Sequence, residues 1–326
     1  MAEVSLVEAV NLALAYELAH DPSVVLLGED IGANGGVFRA TAGLQTRFGA
    51  QRVLDTPLAE TAIAGLAIGM AAEAMKPVAE IQFTGFIYPA LDHIINHASR
   101  LRHRTRGRLS CPMVLRAPYG AGIHAPEHHS ESPEALFAHV PGLRMVIPSS
   151  PSRAYGLLLA AIRDPDPVIF FEPTRLYRLF KQEVNDNGES LPLDVCYVVR
   201  EGTDITLVSW GAMLRETLAA ADVLAREAVT AEVIDVATLK PLDMGTILES
   251  VAKTGRCVIV HEAARTAGMG AEIAAGLAEH GLLSLLAPVR RVTGYDVVVP
   301  LAKLENQYLP SVDRILGAAR EVLEFT

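Results

Sequence analysis

Apolar residues in this chain fall into short runs and helical stripes that alternate from one end to the other. Val7, Val10, Leu14 and Leu18 recur at helical spacing behind an S-x-x-E capping box made by Ser5 and Glu8. Residues 5 to 20 are therefore predicted as an amphipathic helix, ended by Asp21-Pro22. VVLLGED is a brief apolar run closed by acids. It reads as a buried strand delivering Glu29 and Asp30 at its C-terminal end, with IGANGG as the loop beyond. Residues 60 to 75, ETAIAGLAIGMAAEAM, are almost all small and apolar, and a helix that is apolar all round is expected to be buried all round. Gly65 and Gly69, four apart, would let another helix backbone come close on that face.

The alternation continues with PVAEIQF as a strand, a polar helix near 89 to 104, PMVLRAP as a strand, a histidine-bearing loop and a helix from Pro133. RMVIPSS, a helix over 152 to 163 and PVIFFEP follow. KQEVNDNGESLPLD, residues 181 to 194, is polar, carries Gly and Pro, and is the linker candidate. Beyond it come ITLVSW, a helix over 212 to 226, AEVIDV, a helix near 243 to 252, CVIVHEA, a helix near 270 to 280 and RRVTG. Strands alternating with helices predict an α/β chain of largely parallel sheets covered on both faces, that is, three-layer α/β/α domains. The expected division is 1–180, a linker at 181–194, and 195–326.

A length of 326 residues fits two domains. The net charge of −10 argues against a nucleic-acid or anionic-membrane surface, and no Lys/Arg-rich run opposes this. No apolar stretch reaches the roughly 18 residues of a membrane span without a charge or breaker, and MAEVSLVEAV lacks the features of a signal peptide. Cys111, Cys196 and Cys257 stand far apart with no CxxC, which fits reduced thiols in a cytoplasmic protein. A mean hydropathy of +0.28 points to apolar surface buried against another chain.

Two places carry candidate chemistry. Glu60 opens the apolar helix just after DTPLA. One reading is an acid complementing the helix dipole, worth about 0.3–1 kcal/mol. The other is a buried carboxylate aimed at a ligand nitrogen. PYGAGIHAPEHHSESPE places His124, His128 and His129 in one loop. It is open to three readings: a wet surface, a catalytic or substrate-orienting histidine, or a metal site. HxxxHH has no Cys and matches no familiar zinc spacing. The glycine-rich GEDIGANGG lacks the G-x-G-x-x-G order of a dinucleotide loop, and no P-loop, GxSxG or HExxH is present.

Taken together, LGEDIGANGGVFRATAGLQTRFG, RVLDTPLAETAIAGLAIGMA, PVAEIQFTGFIYPALDHI, HHSESPEALFAHVPGLRMVIPSSP, DPDPVIFFEPTRLYR and KTGRCVIVHEA resemble the β subunits of the thiamine-diphosphate-dependent 2-oxo acid dehydrogenases. These are the decarboxylating components of the pyruvate and branched-chain 2-oxo acid dehydrogenase complexes. The resemblance spans about residues 4 to 325. It implies an N-terminal pyrimidine-binding domain and a transketolase-like C-terminal domain serving mainly assembly. By resemblance, Glu60 is the carboxylate on N1′ of the cofactor's aminopyrimidine, where it favours the imino tautomer that takes the thiazolium proton. Leu58, Gln82 and Phe86 match positions beside the pyrimidine. Gly85-Phe86 stands where many relatives carry Asp-Tyr, so a phenol is absent here. His129 matches the active-site histidine, for proton transfer and orientation of the substrate carboxylate or lipoyl group. Glu29 matches an acid of a proton relay between paired sites. Ala161, Asp164 and Asp166 match a loop whose carbonyl oxygens hold a structural potassium ion.

The family's magnesium and diphosphate motif, GDG followed by Asn, is missing from this chain. The resemblance therefore implies half an active site. An α subunit would complete it in an α2β2 heterotetramer that decarboxylates a 2-oxo acid, with pyruvate favoured, and passes the acyl group to a lipoyl acyltransferase. Branched-chain 2-oxo acids, acetoin cleavage by a related complex, and a non-catalytic assembly role are the alternatives.

Overall fold

The computed structural model describes residues 2 to 325 and divides into two compact units. The first runs to Tyr119 and resumes over Leu136–Leu193; the second comprises Gly120–Ala135 and the chain from Asp194 onward. The histidine loop thus belongs with the second unit.

In the first unit, strand β1 (Ala2–Ser5) leads into helix α1 (Leu6–His20). The capping box is formed: the Glu8 carboxylate accepts from the Ser5 backbone N–H at 2.8 Å and from its hydroxyl at 2.7 Å. These bonds, the backbone one foremost, hold the Glu8 carboxyl below its usual range. The helix is buried on more faces than an amphipathic stripe would be. Even Glu17 is covered, and its charge is met by Arg163 at 2.7 Å.

The central sheet of this unit contains β2 (Val24–Gly28), β3 (Val53–Asp55), β4 (Lys76–Glu80), β5 (Val114–Tyr119), β6 (Arg144–Val146) and β7 (Val168–Pro173). They run in the order β6-β7-β5-β4-β2-β3, every pair parallel. A parallel sheet places all its strand exits on one edge, where ligands bind in open α/β folds. β8 (Lys181–Val184) lies in the stretch expected as a linker and pairs antiparallel with β1. Leu191 N–H donates to the Gly156 carbonyl at 3.0 Å, so this segment belongs to the first unit as far as Leu193.

Helices α2 (Leu44–Phe48), α3 (Glu60–Ala72) and α4 (Leu91–Asn96) follow β2, β3 and β4. Two expectations need correction here. α3 is not buried all round: Ile63, Ala64, Ala67 and Ala71 face inward, while Ala62, Leu66 and Gly69 are exposed. It packs on its own sheet from one side only. The polar helix expected over 89 to 104 is broken. His97 departs from helical geometry (φ −118°), and a 3₁₀ turn, Ala98–Arg100, separates α4 from a short helix, Leu101–Arg104. Arg104 donates to the Asn96 carbonyl at 2.7 Å, satisfying an oxygen that the break frees.

Buried in this sheet is a group of ionisable side chains. Arg116 on β5 holds Glu172 on β7 through two bonds (2.6 and 2.9 Å) and Glu80 on β4 through a third (2.9 Å). The Tyr177 hydroxyl donates to Glu172 at 2.6 Å. Burial pushes the Glu80 carboxyl up, against the pull of Arg116.

The second unit has a five-stranded sheet in the order Arg290–Val292, Cys257–Val260, β10 (Ile205–Ser209), β11 (Ala231–Asp235) and β9 (Tyr197–Arg200). Only the edge pair β11–β9 is antiparallel. The three cysteines are free and buried, with burial pushing the Cys111 and Cys257 thiols up to about 12. Among the described residues no helix is long and apolar enough to cross a membrane.

Arg116→Met should lower stability by about 3–5 kcal/mol, because it leaves two carboxylates buried without their cation. A urea-denaturation midpoint close to that of the unsubstituted chain would show that the cluster does not carry the sheet.

Candidate active site

Three neighbouring strands, β3, β2 and β4, deliver acids to one edge of the first unit. Gly28 ends β2 and Glu29 follows; Asp55 ends β3; Glu80 ends β4 and Gln82 lies just beyond. The exits are cross-tied. Thr56 N–H donates to the Gly28 carbonyl at 2.9 Å, and Gly32 N–H donates to Asp55 Oδ1 at 2.6 Å. The loop after β2 lies against β4: a Cβ built on Gly36, whose φ is +79°, would sit 3.1 Å from Glu80 Oε1.

Glu60 is the first residue of α3, where the helix's unpaired N–H groups favour negative charge. Its side chain is half-buried in this chain rather than enclosed. Glu29 is buried, and its Oε1 has no hydrogen-bond partner among the described residues. Burial first, then the charges of Glu60 and Asp30, push its carboxyl up. The fold therefore brings Glu29 and Glu60 together, one enclosed and drawn towards its protonated form, the other open to water.

The loop after β4 brings Gln82 and Phe86 to the same edge. The Thr61 hydroxyl, in the first turn of α3, donates to the Pro89 carbonyl at 3.1 Å and ties that loop to the start of the helix. Phe86 meets Phe83 edge-on at 5.9 Å, and Phe83 meets Phe38 edge-on at 5.5 Å, making an aromatic wall. Leu58, directly before α3, is 80% exposed.

Ala161, Asp164 and Asp166 lie apart from this edge, at the end of the helix Pro151–Arg163. Asp164 pairs with Arg144 at 2.9 Å and Asp166 with Arg102 at 2.6 Å. Both carboxylates are engaged by arginines, and the Ala161 carbonyl accepts from the Asp164 N–H at 3.4 Å.

His129 ends a 3₁₀ turn, Glu127–His129, in the loop that joins the second unit. Its ring lies 4.3 Å from that of His128, and burial, then His128, push its imidazole pKa down. The loop is fastened by two acids that sequence reasoning did not single out. Glu262 accepts from the Ala121 N–H at 2.9 Å. Glu305, 1% exposed, accepts from the N–H groups of Gly122 (2.8 Å) and His124 (3.1 Å), and pairs with the His124 ring at 2.7 Å. His124 sits at φ +59°, costly for a residue with a side chain, and the bonds to Glu305 offset that cost. Gly120 has φ +84°, and a Cβ there would lie 2.6 Å from Glu262. Glu262 could have been suspected as an acid at a strand exit in VIVHEA. Glu305, in the polar helix Ala302–Tyr308, carries no such signal.

Residues 2–179 match the transketolase pyrimidine-binding domain, and residues 195–315 match the transketolase C-terminal domain. The pyruvate dehydrogenase E1 component subunit beta of Bacillus subtilis (strain 168) is 47% identical over 325 residues, covering all of both chains. That of Acholeplasma laidlawii is 48% identical over 322 residues, covering 99% of this chain and 98% of its own. The chain belongs to the β-subunit family of the thiamine-diphosphate-dependent 2-oxo acid dehydrogenases. A solved split-gene transketolase, described as an inactive β4 tetramer, superimposes with a TM-score of 0.82 over 99% of both chains at 23% identity, which shows the shared fold.

Membership in this β-subunit family implies thiamine diphosphate as the cofactor. The β2–β4 edge fits its pyrimidine half: a carboxylate at a helix start, an aromatic wall beside it, and a buried acid with an oxygen still to be satisfied.

Two predictions follow from these acids. A carboxyl whose folded-state pKa is raised contributes most to stability below its unfolded pKa, and that contribution is lost as pH rises through the folded value. Glu29→Gln should therefore be more stable than the unsubstituted chain at pH 8 and gain nothing at pH 4; a gain equal at both pH values would mean that the carboxyl is not perturbed. Glu305→Ala should cost about 1–3 kcal/mol through the unsatisfied loop N–H groups. It should also abolish hydrogen-exchange protection at Gly122 and His124, with Glu305→Gln intermediate; unchanged protection would show that the loop is held by other contacts.

Proposed function

We propose that this chain is the β subunit of a pyruvate dehydrogenase decarboxylating component, an enzyme that works as an α2β2 heterotetramer in the cytoplasm and passes the acyl group to the lipoyl group of an acyltransferase. The observation that carries this reading is identity of 46–48% over essentially the full length to bacterial pyruvate dehydrogenase β subunits.

Thiamine diphosphate, when bound, supplies a thiazolium carbon nucleophile and an aminopyrimidine that serves as its internal base. The role of Glu60 is to accept a hydrogen bond at N1′ of that pyrimidine and so hold the proton there. Gln82, Phe86 and Leu58 bind and orient the ring. Glu29, its carboxyl pushed up by burial and by Glu60, keeps a proton to higher pH than an ordinary carboxylate, which suits a relay. His129, its imidazole pushed down by burial, is ready to accept a proton and to orient the substrate carboxylate or the lipoyl group. Magnesium and the diphosphate would be held by the α subunit, since this chain lacks GDG. Potassium would be held by carbonyls of the turn at Ala161, Asp164 and Asp166, in a structural role.

The test is co-expression with the α partner and assay of cofactor-dependent decarboxylation of pyruvate and 3-methyl-2-oxobutanoate side by side. Pyruvate should be preferred, and Glu60→Gln should lower kcat by about 10²–10⁴-fold in an intact tetramer. Faster turnover of the branched acid would move the chain to the branched-chain enzymes. Full activity in Glu60→Gln would remove the catalytic assignment.

A further inference from the structure

Away from the Glu29–Glu60 edge, α4 and its C-cap residue His97 carry a second group of chemistry-bearing side chains. Asp92, His93 and His97 each offer one ligand atom, and these atoms all lie within 4.8 Å of one another. His93, in the last turn of α4, and His97, its C-cap residue, have ring centroids 5.7 Å apart. Asp92 Oδ2 lies 3.7 Å from His93 Nδ1.

The hydrogen bonding leaves this group open to a ligand. His93 Nδ1 is buried and has no hydrogen-bond partner among the described residues, although 32% of its side chain is exposed. Asp92 uses Oδ1 to accept from Asn96 at 2.6 Å, and Oδ2 is turned to His93. The ring of His93 rests on α3 at Gly65, where a Cβ would be 3.1 Å from its Cδ2. One neighbour opposes a cation: Arg104 Nη1 lies 3.2 Å from His97 Nδ1.

We infer that Asp92, His93 and His97 form a binding site for a borderline divalent cation of the zinc type, with two imidazole nitrogens and one carboxylate oxygen as ligands. Ligand type selects this class, since imidazole suits zinc, copper and nickel whereas magnesium and calcium take oxygen. Zinc–nitrogen and zinc–oxygen bonds of about 2.0–2.2 Å put tetrahedral ligand atoms roughly 3.4 Å apart. The side chains therefore close by little more than an ångström, which torsion changes supply. The fourth position is left to water. Arg104, whose guanidinium sits 3.2 Å from His97 Nδ1, opposes a cation at that ring. This site is separate from the proposed chemistry at Glu60 and does not depend on it.

The experiment is calorimetric titration of zinc into the full-length chain after chelator treatment, with magnesium as the control. Expected is about one zinc per chain at this site, no binding of magnesium there, and at least about a tenfold weakening in His93→Ala and in His97→Ala. Asp92→Asn, which keeps the shape and the contact with Asn96, should weaken binding as well, and Arg104→Ala should tighten it. Circular dichroism of each variant separates lost binding from lost fold. Absence of zinc binding would overturn the inference, and so would zinc binding undiminished in the His93→Ala/His97→Ala double variant, which would place the metal elsewhere, as on the loop of His124, His128 and His129.

Discussion

Arg116 is one cation between two carboxylates, all three buried, on three adjacent strands of the first unit. Three ionisable groups in a sheet interior are tolerated only if every one keeps its partner. That requirement fixes β4, β5 and β7 in register, since a slip by one residue would turn Arg116 to the opposite face. It also fixes what lies next to them. The loop after β2 lies against Glu80, and the loop that carries Gln82 and Phe86 leaves β4 one residue beyond it. The candidate site is built on strand exits whose alignment the Arg116 cluster holds.

The same unit treats a second pair of acids in the opposite way. Glu80 and Glu172 are met by a cation; Glu29 and Glu60 are not, and the burden falls on Glu29, whose carboxyl is pushed up. Two acids in unlike environments divide their roles. Burial draws Glu29 towards its protonated form, whereas Glu60 stands half-buried at a helix start. Such a pair is poorly optimised for stability, and under the proposed function it would serve to move a proton, a property that a cation placed there would quench.

Much of this could be read from the chain. The alternation of apolar runs with helical stripes predicted the parallel α/β architecture, and DTPLAE pointed to a carboxylate opening an apolar helix. The failures have physical causes. β1 and β8 are edge partners too short and polar to show a period, so a strand was read as linker. The break at His97 is sustained by Arg104 on the Asn96 carbonyl, a contact eight residues away that no local propensity registers. Glu262 and Glu305 act on a loop more than a hundred residues earlier in the chain, through backbone N–H groups that carry no sequence signature.

α3 shows how burial, the least legible quantity, bears on function. Its composition is apolar all round, yet Ala62, Leu66 and Gly69 are exposed in this chain, with Leu58 exposed just before it. Leu282, Leu283, Leu286, Val297 and Val298 are likewise open in the second unit. Large exposed apolar surfaces mark contact sites, in keeping with a mean hydropathy of +0.28. For Glu60 the consequence is chemical. Covering Leu58 and the open face of α3 would draw water away from a carboxylate that already repels Glu29. Loss of water strengthens that repulsion and strengthens any hydrogen bond Glu60 makes to a bound base. A half-buried Glu60 in the single chain is thus what a subunit that gains its full reactivity on assembly would present.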